Sequence, residues 1–374
     1  MKFVISKNVL DQALNTVSKA VSGKNARPIL SCVKLEMNNH GLFLTASDAN
    51  ISIVTKIPLE DDNGNILIAL LNPGIAVLPA RNISDVIRKL SGERLEIEMI
   101  EESILRIKDE ISDFSLNCMD ANEYPLIDIN IVGTTINLST KDLINGVNQT
   151  SYAASDKDTR PILEGVNVHC DGNSIEFIAT DGFRIARKQL NMTDSKTFSV
   201  TIPSKMLDDV AKIAESDDNV EMTVCEKRVS FKFTNTLVIA SILNGSFPDV
   251  SRLIPPSFAQ ILTIASSDLL SSIDRTSILS ADRGSVVRFS MSTELFNIKS
   301  RSQETGSAND TIKTFEYSGS PLEISFTARY ITDALKAMPN GLVKIQFNGD
   351  DKPAIISSST DNSLIALILP VRTY

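Results

Sequence analysis

Leu78-Pro79-Ala80-Arg81-Asn82-Ile83-Ser84-Asp85-Val86-Ile87-Arg88-Lys89-Leu90 carries the reading of this chain, because it returns twice at one interval. Ile202-Pro203-Ser204-Lys205-Met206-Leu207-Asp208-Asp209-Val210-Ala211-Lys212-Ile213-Ala214 follows 124 residues later. Phe326-Thr327-Ala328-Arg329-Tyr330-Ile331-Thr332-Asp333-Ala334-Leu335-Lys336-Ala337-Met338 comes a further 124 on, with its apolar, cationic and acidic positions coinciding. Amphipathic helices resemble one another, so a single match of this kind is weak.

Three more landmarks keep the same order. Ile5-Ser6-Lys7-Asn8-Val9-Leu10 corresponds to Leu138-Ser139-Thr140-Lys141-Asp142-Leu143 and to Ile264-Ala265-Ser266-Ser267-Asp268-Leu269. Arg27-Pro28-Ile29-Leu30 returns as Arg160-Pro161-Ile162-Leu163, each followed by a strand-like segment and a turn at Ser47-Asp48 or Thr180-Asp181. Tyr124-Pro125, Phe247-Pro248 and Leu369-Pro370 close the three segments at intervals of 123 and 122. The chain therefore reads as a triplicated domain, with boundaries at 1–131, 132–256 and 257–374.

The 374 residues suffice for three domains, each large enough for its own core. Aromatics make up only 5% and Trp is absent, which predicts cores of Ile, Leu and Val; β-branched residues at alternating spacing favour sheet. Cys32, Cys118, Cys170 and Cys225 show no CxxC spacing, so they read as reduced thiols of a cytoplasmic protein. Met1-Lys2-Phe3-Val4-Ile5-Ser6 lacks the apolar core of a signal peptide, and no run approaches the roughly 18 apolar residues of a membrane span. A soluble chain that is neither exported nor membrane-bound is expected.

Within a repeat, a strand at Lys2 to Ile5 leads into a helix near Lys7 to Ala20, whose Val9, Leu10, Ala13, Leu14 and Val17 form one apolar stripe. Val33 to Met37 and Gly41 to Ala46, joined by Asn38-Asn39-His40, read as a hairpin. A second helix near Ala80 to Leu90 has Pro79 at its start. Strands at Arg94 to Ile100, Ile104 to Lys108 and Ser112 to Met119 complete the unit. The expectation is an α+β domain with two helices on antiparallel sheet, about eight strands per copy, and a fairly rigid arc of three copies.

Catalytic chemistry is hard to find. His40 and His169 read as a turn and a strand histidine rather than as bases. No phosphate loop, HExxH or GxSxG occurs. Glu60-Asp61-Asp62, Glu101-Glu102 and Ser216-Asp217-Asp218 read as solvated turns, so no catalytic, metal or cofactor site is assigned.

Two patterns point elsewhere. Thr180-Asp181-Gly182-Phe183-Arg184 is a tight turn in which Asp caps the backbone and Gly supplies a positive φ. A turn does not require the aromatic and the arginine that follow, and their partial exposure suits a peptide-binding surface. Lys7, Lys19, Arg81, Arg88, Lys89, Lys141, Lys205, Lys212, Arg275, Arg329 and Lys336 fall on the six expected helices. The overall charge of −9 argues against a wholly basic nucleic-acid protein, but not against one basic face built from equivalent helices.

With Met1-Lys2-Phe3, Arg160-Pro161-Ile162-Leu163, Ala179-Thr180-Asp181-Gly182-Phe183-Arg184-Ile185-Ala186, Phe247-Pro248-Asp249 and Leu369-Pro370-Val371-Arg372 in this order, the chain resembles the family of bacterial sliding clamps, the β subunits of DNA polymerase III, over its whole length. The resemblance implies three tandem clamp domains and a head-to-tail homodimer, a ring of six domains around duplex DNA. It implies no enzyme activity, only processivity for the polymerase. The duplex carries about one negative charge per 1.7 Å of axis, which helices attract without reading bases.

By resemblance Lys24 touches duplex near the clamp face, and Arg81 and Lys205 match lining positions. Lys141, Arg275 and Arg329 join them from the helical cation pattern. The shared partner pocket carries over as Leu163, Thr180, Gly182, Phe183, Arg184, Ile185, Pro248, Arg252, Leu253, Ile368, Leu369, Pro370, Val371 and Arg372. It implies short peptides ending in Leu and Phe, borne by the polymerase III α subunit, the clamp loader, other polymerases and repair proteins. Phe114 and Leu116 against Ile278 and Leu279 match the dimer contact. Phe183 departs from the His common in the family, and the chain ends at Tyr374, one residue beyond the usual terminus. The competing reading is a triplicated β-rich scaffold or carbohydrate-binding protein with no DNA role.

Overall fold

The computed structural model describes residues 1–21, 27–156, 160–192, 196–279, 285–302 and 305–372. Its helices are α1 (Lys7–Val17), α2 (Ala80–Lys89), α3 (Thr140–Asn148), α4 (Ser204–Ala214), α5 (Ser266–Ser277) and α6 (Ala328–Ala337). Each starts directly at the end of a strand, and the pattern strand, helix, strands, helix, three strands repeats three times. The first helix stops short of the expected Ala20 because Ser18–Ala20 tightens into a 3-10 turn. Its apolar stripe is buried at Leu10, Ala13, Leu14 and Val17.

Among the described residues all strand pairing is antiparallel, in sheets of five, eight, nine and four strands. In the third repeat the helix pair packs against two sheets rather than one. Leu269 and Ile273 of α5 and Ile331 and Leu335 of α6 share a core with Phe289, Phe326, Val343 and Ile356 from both sheets. Phe289 meets Phe296 and Phe326 edge-on at 5.4 and 5.7 Å, a geometry aromatic rings favour. In the second repeat α3 lies so close to its sheet that a Cβ on Gly146 would fall 2.6 Å from the Phe177 ring. A helix-weakening glycine is kept there because nothing larger fits.

Compactness divides the chain into Met1–Thr140 with Lys212–Ile242, and Lys141–Ala211 with Leu243–Tyr374. The cut passes through the central repeat because its two sheets belong to different units. In the first unit, strand Thr236–Ser241 of repeat two extends the sheet of repeat one by pairing with Ile51–Ile57, Val238 opposite Ile53. In the second, strand Leu364–Ile368 of repeat three pairs with Arg184–Asn191 of repeat two, Ala366 opposite Ala186.

These two seams match bond for bond. The amide of Lys56 donates to the carbonyl of Asn235 as that of Gln189 does to Ser363, and Ser241 donates to Asn50 as Leu369 does to Phe183. One seam rule thus operates twice: the last strand of a repeat joins the third-sheet-strand position of the repeat before it. Of the six strands at seam positions, Asp113–Asn117 in repeat one and Gly306–Ile312 in repeat three have no seam partner among the described residues, and each lies at one edge of its sheet.

No helix among the described residues is long and apolar enough to cross a membrane, and no group of three or more His, Cys, Asp or Glu side chains there could hold a metal ion.

Candidate functional site

The Thr180–Arg184 turn is built by its own short side chains. Thr180 Oγ1 accepts from the amide of Gly182 at 3.1 Å, and Asp181 Oδ1 accepts from Phe183 and Arg184 at 2.9 and 3.0 Å. Gly182 sits at φ +88°, a conformation that penalises any Cβ. The turn leaves Phe183 60% exposed while its carbonyl accepts from Leu369, itself 36% exposed.

Strand alternation puts Ile185 and Leu367 on the face shared by Phe183 and Leu369. There Ile185 and Leu367 form a buried cluster with Val250 and Ile355, flanked by Ile254 and Phe258. Val250 leads into the 3-10 turn Ser251–Leu253, which carries Leu253 at 51% exposure and Arg252, 3.8 Å from Asp249. Pro248 is exposed just before it. Exposed apolar side chains thus surround a buried apolar floor, an arrangement suited to an apolar peptide side chain.

Pro370, Val371 and Arg372 run on from Leu369, with the Val371 amide donating to Ser325 at 2.8 Å. Together with Arg288, Glu323, Asp350 and Asp351, they line a cavity of about 660 Å³. Arg288, Glu323, Asp350 and Asp351 are absent from the sequence-based pocket, which includes Arg372.

The expected partial exposure of Arg184 is corrected here: the side chain is 5% exposed and points inward. Nε binds Asp181 at 3.0 Å, Nη1 binds Asp333 at 2.6 Å, and Nη2 donates to the Tyr152 carbonyl at 2.7 Å. Its guanidinium lies over the rings of Tyr330 and Tyr152 at 4.6 and 5.4 Å. A buried charge persists only with such partners, so Arg184 braces the turn and does not ring the pocket. Burial raises the Tyr152 and Tyr330 hydroxyl pKa values, keeping both neutral. Leu163, Thr180, Ile185 and Ile368 are likewise buried and underlie the pocket. Asp333, Tyr152 and Tyr330 escaped sequence reasoning, although Asp333 aligns with Asp85 and Asp209 in the repeated stretch.

The helix cations are less free than their pattern suggests. Lys7 is no solvated lysine: its Nζ donates to the Leu90 carbonyl at the end of α2. Arg81 stands 3.8 Å from Asp85, Arg275 is 2.5 Å from Asp310, and Arg329 is 3.5 Å from Asp333 and 4.0 Å from Asp156. Lys141 and Lys205 are exposed. Lys24 and Tyr374 lie outside the described residues. Phe114 is 40% exposed on its edge strand and Leu116 half-buried; Ile278 is 71% exposed and Leu279 half-buried at the end of α5.

Comparison with known proteins covers every repeat. The N-terminal, central and C-terminal domain models of the DNA polymerase III beta subunit match residues 1–128, 137–249 and 251–372. The chain is 35% identical to the beta sliding clamp of Staphylococcus epidermidis and 34% to that of Staphylococcus aureus, in both cases over 100% of each chain. The DNA polymerase sliding clamp of Bacillus subtilis superposes with a TM-score of 0.94 at 34% identity over 100% of both chains. The DNA polymerase III beta chain of Streptococcus pneumoniae does so with 0.94 at 32%, again over 100% of both.

Proposed function

We propose, from the premise that this chain belongs to the DNA polymerase III beta subunit family, the bacterial sliding clamps, how its residues close the ring and dock partners. It is a DNA sliding clamp, a non-catalytic subunit that encircles duplex DNA as a homodimer and gives the polymerase its processivity. A scaffold or carbohydrate-binding protein is not favoured by full-length likeness to clamps.

The observation that carries the closure is the pair of seam strands left without a seam partner, each at a sheet edge. Unpaired edges attract strands, and head-to-tail contacts that close make rings. Applying the seam rule a third time pairs Asp113–Asn117 with Gly306–Ile312 of a second copy. The repeat also suggests a register. Phe114 stands where Val238 and Ala366 stand, since these three face Ile107, Phe231 and Ile356 across equivalent strands. Ala308, opposite Ser300 on the neighbouring strand, occupies the place of Ile53 and Ala186. Phe114 then faces Ala308 and Leu116 faces Gly306, next to Thr305, whose hydroxyl donates to the Leu279 carbonyl. That brings the apolar pair Phe114 and Leu116 towards Ile278 and Leu279.

In both existing seams the equivalent position lies between the hydrogen-bonded pairs, where Cα atoms approach to about 4.5 Å. Phe114→Cys with Ala308→Cys is therefore expected to form an intermolecular disulfide under mild oxidation. Ser115→Cys with Ala308→Cys is not, since a one-residue slip turns the side chain to the other face. The reverse pattern on a non-reducing gel would refute the register.

The helix cations contact duplex without reading sequence, and their carboxylate partners keep that contact weak, which suits a ring that slides. The outer pocket of Phe183, Leu253 and Leu369 takes extended peptides ending in Leu and Phe, carried by the polymerase α subunit, the loader and repair proteins of the cytoplasm. The test of the whole reading is retention on a primed circular duplex with loader and ATP, before and after linearisation. Retention on the circle and loss from cut ends is expected; equal retention on both would mean ordinary binding and overturn it.

A further inference from the structure

Asp333 lies on α6, yet its Oδ2 holds two cations from different places: Arg184 of the turn at 2.6 Å and Arg329 of its own helix at 3.5 Å. The aligned Asp85 holds only solvent-facing helix arginines, Arg81 and Arg88. In the third repeat this acid reaches across to a seam turn. From it a chain of bonds runs to the pocket: Asp333 to Arg184, Arg184 to Asp181, Asp181 to the Phe183 amide, and the Phe183 carbonyl to Leu369. Arg184 is buried and Asp333 half-buried, whereas the Arg329 side chain is 69% exposed and the most easily drawn away.

We propose that Asp333 is a positioning residue for peptide docking, and that Arg329 links its hold on Arg184 to phosphate at α6. This rests on the reading of Phe183 and Leu369 as the peptide site and of α6 as facing duplex. A backbone phosphate that captures Arg329 removes the competitor for Asp333 Oδ2. The carboxylate then acts on Arg184 alone, the turn is held more firmly, and less ordering remains for the peptide to impose. A clamp on DNA thus presents a better-formed pocket than a free one.

The test uses the intact dimer and a fluorescein-labelled peptide ending in Leu-Phe, with anisotropy read for free rings and for rings loaded on closed circular duplex. Wild-type rings on DNA are expected to bind about two- to five-fold more tightly than free rings, the scale of an exposed ion pair. Arg329→Gln abolishes that difference. In free rings Asp333→Asn weakens the peptide about tenfold, and Asp333→Glu, which keeps the charge, recovers most of the loss. Equal affinity with and without DNA, or a DNA effect that survives Arg329→Gln, overturns the link. An Asp333→Glu loss as deep as that of Asp333→Asn overturns the positioning role. Absence of peptide binding by wild-type rings in either state defeats the pocket reading itself, and this inference with it.

Discussion

The turns at the two seams are the same object with different side chains. Ser47-Asp48-Ala49-Asn50-Ile51 repeats the bonds of Thr180-Asp181-Gly182-Phe183-Arg184. Ser47 Oγ accepts from Ala49, and Asp48 Oδ1 accepts from Asn50 and Ile51, at 3.2, 2.9 and 2.9 Å. What differs is every position the turn does not need. Asn50 replaces Phe183, Ser52 replaces Ile185 and Ser241 replaces Leu369, so the first seam has a cavity of about 290 Å³ in which Asn50, Ser52 and Ser241 stand beside Leu30, Leu126 and Ile127, with Arg27 and the Asp128–Arg228 ion pair. Backbone chemistry builds the joint; the residues left over from building it decide whether anything docks.

The largest effect expected from this contrast is on peptide binding. Replacing Phe183, Leu369 and Val371 together by Ala removes exposed apolar anchors and should weaken a Leu-Phe peptide by about 100-fold or more, while the dimer stays intact in sedimentation. The same change at Asn50 and Ser241 should leave binding as it was. Loss from the second pair would show that both seams dock peptide and break the contrast.

A smaller effect concerns pH. Thr55 and Thr236 meet through neutral hydroxyls at 3.1 Å in the first seam, whereas in the second the buried Lys188 binds Asp361 at 2.8 Å. Burial works to raise the Asp361 pKa, but bonds from Lys188 and Ser363 prevail and hold it below the ordinary carboxylate value. A depressed carboxylate stabilises above its unfolded pKa and ceases to do so as pH falls through its folded one. Asp361→Asn should therefore cost about 1–3 kcal/mol at pH 7. In melts from pH 7 downward the gap to wild type should hold to about pH 4 and narrow below it. A gap that widens on acidification would reverse the sign and remove Lys188–Asp361 from the seam's stability.

The contrast also marks how far sequence could be read. The repeats, the six helices and the Thr180–Arg184 turn were legible because their signals are local: periodicity, capping and a glycine in a turn. Sharing of sheets between repeats was not, since Thr236 pairs with Thr55 across 181 positions and alternating strands carry no mark of their partners. The inward course of Arg184 was hidden for the same reason, as Asp333 lies 149 positions away. The three aligned acids at Asp85, Asp209 and Asp333 were visible; which of them would meet a seam turn was not.

The smallest prediction isolates the turn from everything around it. Ala49 is the one described non-glycine residue at positive φ, +78°, where its counterpart Gly182 adopts +88°. A Cβ in that region costs about 1–2 kcal/mol, while glycine loses about 0.5–1 kcal/mol through its freer unfolded chain. Ala49→Gly should then stabilise by at most about 1.5 kcal/mol, and Gly182→Ala should destabilise by a similar amount. The added methyl at 182 meets only Arg160 Nη2 at 3.6 Å, an ordinary contact, so its cost is conformational. Opposite signs in denaturant unfolding would establish that the first seam tolerates strain its turn does not require. Destabilisation by Ala49→Gly would mean that the unfolded-chain entropy outweighs the strain, and that the two turns differ energetically as well as in what they display.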